Sequence, residues 1–174
     1  MNAPMEPKVL LSEEAARAFE REIAKYPPDQ KASAVIACLA VLQREHGWIS
    51  KQSEELVAAA LGMPVIAVHE VTTFYNMFNQ EPVGRFKLNV CTNLPCQLRG
   101  GQHALEHLCT SLGVAEGGTT SDGAFTVQKA ECLGACADAP VLLVNDLQMV
   151  SFMNDRRLDE LVGLLREQTA SSAA

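Results

Sequence analysis

Residues 85–101, RFKLNVCTNLPCQLRGG, decide how this chain folds. Phe86, Leu88 and Val90 alternate with more polar neighbours, the period-two pattern of a β-strand. Cys91 ends that strand, Cys96 follows in the next loop, and Gly100-Gly101 leads into QHALEHLCTSLG, a helix stopped by Gly113. After the turn-rich GGTTSDG, AFTVQKAEC reads as a second strand. Strand, helix, strand in this order predicts two parallel strands joined by a right-handed crossover. PVLLVN and LQMVSFMN are predicted as two more strands, with a tight turn around Asn145-Asp146. DRRLDELVGLLREQ closes the pattern as an amphipathic helix, so the order from residue 85 onward is β-α-β-β-β-α or a close variant.

The topology gives the cysteines their meaning. Cys91 and Cys96 stand at and just past the C-terminal end of the first strand, and Cys132 and Cys136, in ECLGAC, just past that of the second. Parallel strands deliver both loops to the same sheet edge, where open α/β sheets place their sites. Neither pair would hold a metal alone, but together they form a four-thiolate set. A disulfide framework suits a secreted chain, and nothing here looks secreted. A thioredoxin-type dithiol needs Cys-x-x-Cys at a helix N-terminus, whereas the spacings here are Cys-x4-Cys and Cys-x3-Cys. Structural zinc favours ligand pairs two to four residues apart and is the serious rival. A [2Fe–2S] cluster spreads four thiolates over two irons and accepts looser spacings. Gly134 and Ala135 are small enough to aim backbone N–H groups at sulfur, and Leu94, Pro95 and Leu133 are candidates to keep water away. Residue chemistry by itself leaves iron–sulfur and zinc both open.

The first half of the chain reads as helices. Ser12 caps SEEAARAFEREIAKY, which Pro27-Pro28 ends; DQKASAVIACLAVLQREHG carries an apolar face ending near Gly47. SKQSEELVAAALG, capped by Ser50 or Ser53, stops at Gly62, and Pro64 opens PVIAVHEVTTFYNMF. That predicts about four helices. The chain has 174 residues, 48% hydrophobic and 20% charged, with a net charge of −7, which fits a globular protein and argues against nucleic acid as a main partner. The N-terminus has neither a signal-peptide core nor the Arg-rich character of a transit peptide, and no apolar run approaches membrane-spanning length. An intracellular protein is expected, and six cysteines then suggest metal or redox chemistry before disulfides.

FKLNVCTNLPCQLRGG followed by ECLGACADAPVLLVND closely resembles the small thioredoxin-like [2Fe–2S] subunit family of NADH:quinone oxidoreductase, the 24 kDa-type subunit of respiratory complex I. The resemblance extends upstream through EVTTFYNMFNQEPVGRFKLNVC and covers roughly residues 12–166. It implies an α+β or α/β fold class: a helical N-terminal segment followed by a thioredoxin-like [2Fe–2S] ferredoxin domain. The expected layout is a disordered N-terminus at 1–11, a helical subdomain at 12–80, the ferredoxin domain at 85–168 and a disordered tail at 169–174. It also implies that Cys91, Cys96, Cys132 and Cys136 hold one [2Fe–2S] cluster. The implied partner is the flavoprotein subunit that binds FMN and oxidises NADH. This chain would be a non-catalytic electron carrier beside it, in a cytoplasmic peripheral arm of a membrane-associated complex, and would bind no nicotinamide itself. The alternative is the equivalent small subunit of a soluble NAD-dependent formate dehydrogenase or NAD-reducing hydrogenase.

Other residues carry weaker signals. Arg99 and Lys129 flank the two motifs and are candidate cations to offset cluster charge. Cys38 and Cys109 read as packing residues on helices. His103 and His107 stand four apart on one predicted helix, without the glutamate of a His-Glu-x-x-His motif, and read as surface or partly buried side chains. The aromatic run TFYNMF, residues 73–78, reads first as core and second as a contact surface for the flavoprotein.

Overall fold

A computed structural model describes residues 11–171, and the chain divides into two compact units between Pro82 and Val83. The expected disordered N-terminus falls almost wholly outside the described residues, as does the end of the expected tail.

Among the described residues the first unit is built from α1 (Glu13–Ile23), α2 (Val35–His46), α3 (Lys51–Leu61) and α4 (Val65–Phe74), with a 3-10 segment at Pro28–Ala34. Ser12 caps α1 by accepting the Ala15 N–H at 3.1 Å, and Ser50 caps α3 by accepting the Ser53 N–H at 3.1 Å. Each cap satisfies a donor that the first helical turn leaves open. The helices bury one shared core that includes Phe19, Cys38, Leu39, Leu42, Val57, Leu61, Val68 and Phe78. The stretch predicted as one helix over 29–46 is a 3-10 segment followed by an α-helix. Gln30 has non-helical dihedrals there, beside the two prolines, which bar a regular entry. The fourth helix stops at Phe74 instead of running through Phe78.

The second unit contains β1 (Phe86–Cys91), α5 (Leu94–Leu98), α6 (Gly101–Leu112), β2 (Phe125–Ala130), β3 (Leu142–Val144), β4 (Gln148–Val150) and α7 (Asp155–Ser171). The sheet order is β2-β1-β3-β4, with β1 and β2 parallel and β1–β3 and β3–β4 antiparallel. The parallel register, Phe86 opposite Phe125 through Cys91 opposite Ala130, is the expected crossover pair. Every residue of β1 is buried, as suits an inner strand. Leu88, Leu105, Leu108, Phe125, Val127, Leu142 and Leu158 form the core between the sheet and helices α6 and α7. Each fully buried side chain of this size contributes about 2 kcal/mol.

The predicted turn is present: Asn145 and Asp146 both have left-handed φ, at 52° and 58°, a conformation these residues tolerate better than most. Asp146 also pairs with Lys87 Nζ at 2.6 Å, although Lys87 lies buried within β1. The short helix α5, directly after the first strand, is an addition to the predicted order. Helix α7 continues through Ser171, past the end expected from the polar tail composition. Among the described residues no helix is long and apolar enough to cross a membrane.

Candidate thiolate site at the sheet edge

The parallel pairing of β1 and β2 carries both cysteine loops to one edge. Cys91 is the last residue of β1, and its N–H donates to the Val141 carbonyl at 3.1 Å. Cys96 sits on α5, five residues long, whose Pro95 lies in its first turn. Cys132 and Cys136 leave the end of β2 in a loop that turns at Gly134, where φ is 79°. Only glycine enters that conformation at little cost. Cys136 begins a short 3-10 turn that ends at Asp138. The Ala139–Pro140 peptide that follows is cis.

Gly101 holds the first loop against the helix behind it. A Cβ at that position would stand 2.6 Å from the Cys91 carbonyl oxygen and 3.0 Å from the Cys96 carbonyl. The backbone of α6 therefore approaches the cysteine loop more closely than any other residue type allows.

The four thiols differ in exposure. Cys91 and Cys96 are both 2% exposed, packed with Ala139 and Val141 and flanked by Leu133 and Ala135. Cys132 and Cys136 are exposed. Leu133 thus packs where shielding was expected, whereas Leu94 is 65% exposed and points away from that role.

Hydrogen bonds and charge between the sulfurs show which of them are neighbours. Burial pushes the Cys96 thiol up, reinforced by a hydrogen bond with Cys91 and by the charges of Cys91 and Cys136. The Val141 N–H on the Cys96 sulfur works in the opposite direction. The Cys136 thiol is raised first by its hydrogen bond and charge interaction with Cys132, then by burial and by Cys91. The thiols therefore form two pairs, Cys91 with Cys96 and Cys132 with Cys136, and each pair feels the other. Arg99 and Lys129 are exposed and are not among the leading influences on either sulfur.

This donor set fits a two-iron cluster. Mutually repelling thiolates keep their protons when nothing else compensates the charge, and ferric ions supply that compensation. Among the described residues no three His, Cys, Asp or Glu side chains are already gathered to hold a metal ion. Cys91, Cys96, Cys132 and Cys136 are the residues that would hold such a cluster, which would supply a one-electron redox centre.

The remaining sequence candidates are placed as follows. Cys38 is fully buried in the helical core, its thiol pushed up to about 11 by burial and by Glu22. Cys109 is half-buried against the sheet-unit core. Within TFYNMF only Phe78 is core; Phe74 is 79% exposed, and Tyr75 and Met77 are also exposed. His69, which carries no signal of its own in the sequence, bonds through Nδ1 to both carboxylate oxygens of the buried Glu54, at 3.0 and 3.1 Å. No periodicity in the sequence marks that pair, which lies across two helices.

Comparison with known proteins places the chain in a family. The family described as thioredoxin-like [2Fe-2S] ferredoxin matches residues 19–166. An NADH-quinone oxidoreductase subunit of Rhizobium meliloti is 43% identical over 148 residues, covering 85% of this chain and 86% of its own. A subunit of the same enzyme from Rickettsia prowazekii is 40% identical over 144 residues, with 82% and 81% covered. NADH-quinone oxidoreductase subunit 2 of Thermus thermophilus is 39% identical over 148 residues, with 85% and 82% covered. Among solved structures, a NAD+-reducing [NiFe]-hydrogenase in the air-oxidized state aligns with a TM-score of 0.65 at 23% identity. It covers 75% of this chain, which spans 23% of that hydrogenase chain, so the likeness concerns the fold.

Proposed function

The chain belongs to the thioredoxin-like [2Fe–2S] ferredoxin family, and from that premise we propose that it is an electron-transfer subunit of an NADH:quinone oxidoreductase. Cys91, Cys96, Cys132 and Cys136 hold its single cluster. The observation that carries this reading is the parallel pairing of β1 and β2, which delivers the loops of both cysteine pairs to one sheet edge. The similarity to three NADH-quinone oxidoreductase subunits over most of the chain supports the choice of complex.

When bound, the cluster supplies a site that accepts and gives up one electron. The chain's residues set how that site behaves. Cys91 and Cys96 anchor it from the buried side, and Val141 N–H donates to the Cys96 sulfur, which favours added negative charge. Cys132 and Cys136 face outward, so the exposed pair marks the side on which an electron partner can approach. The partner is the flavoprotein subunit that binds FMN and oxidises NADH. This chain therefore turns over no substrate, and the assembled complex carries the oxidoreductase activity. It stands in the peripheral arm on the cytoplasmic side. Exposed Phe74, Tyr75 and Met77 are the contact residues to test on the helical unit.

Protein purified anaerobically should be red-brown, contain two irons and two acid-labile sulfides per chain, and give an EPR signal on reduction. Replacing Cys132 with Ser should abolish or destabilise the cluster, and Cys109→Ser should leave its visible spectrum intact. An unchanged spectrum in the Cys132 variant refutes the ligand assignment; zinc without iron or sulfide refutes the cluster. Capture of the native protein should bring down quinone-reductase subunits. Recovery of hydrogenase or formate dehydrogenase subunits instead would move the chain to one of those soluble complexes.

A further inference from the structure

Helices α6 and α7 bring together four side chains that the thiolate site does not use. His103 and His107 lie one turn apart on α6, and Asp155 and Asp159 lie one turn apart on α7. Residues four apart share a helix face, and here the two faces meet in register. His103 Nε2 lies 3.0 and 3.1 Å from the two oxygens of Asp155. His107 Nε2 lies 2.8 Å from Asp159 Oδ1, and its Nδ1 lies 3.8 Å from Asp155 Oδ2. The Asp155 carboxylate therefore sits between two imidazoles whose ring centres are 6.4 Å apart.

We propose that His103, His107, Asp155 and Asp159 form a binding site for a divalent transition metal ion of the zinc type. Two histidines four apart on a helix can direct ring nitrogens at one ion. Imidazole nitrogen and carboxylate oxygen are both zinc ligands, and imidazole favours zinc, copper or nickel over calcium or magnesium. Two carboxylates balance the charge of the ion. The four groups now stand as hydrogen-bonded pairs, with no three of them yet gathered around one point. Closing the site requires rotation of side chains that have the freedom for it: His103, Asp155 and Asp159 are each at least half exposed. His107, at 23%, is the better-anchored member. The metal would take the place of the protons now shared between imidazole and carboxylate.

Next to His103 and Asp155 opens a cavity of about 560 Å³, lined also by Arg99, Arg156 and Phe152, which leaves room for a solvent ligand. Arg156 is engaged by Glu160 at 2.8 Å. Arg99 adds positive charge to the rim, which weakens the hold on a cation without removing any of its four ligands.

The test is equilibrium dialysis of the cluster-loaded chain against zinc alone, with metal analysis and the visible cluster spectrum recorded together. The expected result is one zinc per chain beyond the cluster, with an unchanged spectrum. Binding should weaken at least tenfold in His103→Gln and in His107→Gln, and should survive in Cys109→Ser. Glutamine keeps a polar side chain of similar reach, and circular dichroism verifies that each variant is folded. If a variant loses its fold, Asp159→Asn, exposed at the helix surface, replaces it in the comparison. Absence of added zinc at 100-fold excess overturns the proposal. So does zinc that binds equally well to the double variant His103→Gln/His107→Gln, because it must then sit elsewhere on the chain.

Discussion

Gly101 has a consequence that the cysteines alone would not suggest. The resemblance names the proposed ligands, yet the loop that carries Cys91 and Cys96 keeps its place because α6 begins with a residue lacking a side chain. Adding one methyl group in Gly101→Ala would force backbone, not a flexible side-chain end, to move, at about 1–3 kcal/mol, the usual cost of overpacking. The denaturation midpoint should fall, and iron content per chain should fall with it, because the displaced atoms belong to both buried cysteines. A variant with full iron content and an unaltered midpoint would show that the loop accommodates the methyl. At this scale the placement of the four cysteines at the ends of two parallel strands is legible in the sequence, because strand alternation and a crossover helix mark it. The difference in exposure between the two pairs is not legible, since it depends on Ala139 and Val141, which return from a later part of the chain. Leu94 is the matching failure: it is apolar and next to a ligand, yet it faces out.

The elements that the sequence marks best are those whose ends carry their own chemistry. Ser12 and Ser50 cap their helices, and Asn145-Asp146 takes the left-handed turn. The 3-10 segment after the two prolines and the five-residue α5 escape such reading, because short turns of helix have no period long enough to detect. The facing of His103 and His107 by two aspartates escapes it for another reason: the residues are 52 positions apart and only the packing of α7 on α6 joins them. The loop entering β2 shows how much a turn can add. Asp122 accepts the Thr120 hydroxyl and the Ala124 N–H, while Thr120 Oγ1 accepts the Phe125 N–H at 3.0 Å. The Thr120 hydroxyl first, and then the Ala124 N–H, hold the Asp122 carboxyl below its ordinary 3.8. A carboxyl lowered in the folded state stabilises above its unfolded value and loses that contribution as pH falls through the folded one. Asp122→Ala should therefore lower the denaturant midpoint at pH 7, and the gap to the parent chain should narrow as pH drops below 3.8. A gap of constant size down to acid would mean that the charge adds nothing to the turn.

At the scale of the whole molecule, each of the two units has a main core of its own among the described residues, beside the small cluster around Cys91 and Cys96. Phe19, Leu39, Leu42 and Val57 serve the helical unit, and Leu88, Leu108, Phe125 and Leu158 serve the sheet unit. The composition shift near Pro82 makes this division readable, since helical periodicity gives way there to alternation. All four proposed ligands, both strands that place them and the helix whose glycine holds them lie in the second unit. On the proposed function, that distribution leaves the helical unit free for recognition of the complex. A chain reduced to residues 83–174 has about 90 residues, a size at which a single core can sustain a fold. It should take up iron and sulfide and show the same visible spectrum as the full chain, because no group on the helical unit is needed to complete the thiolate set. The same fragment should lose most of its ability to capture the flavoprotein, since it lacks exposed Phe74, Tyr75 and Met77. In the full chain, Tyr75→Ala should weaken capture while leaving the cluster spectrum unchanged. A fragment that cannot be loaded with cluster would show that the helices support the sheet edge. A fragment that captures the flavoprotein as well as the full chain would place recognition on the cysteine face.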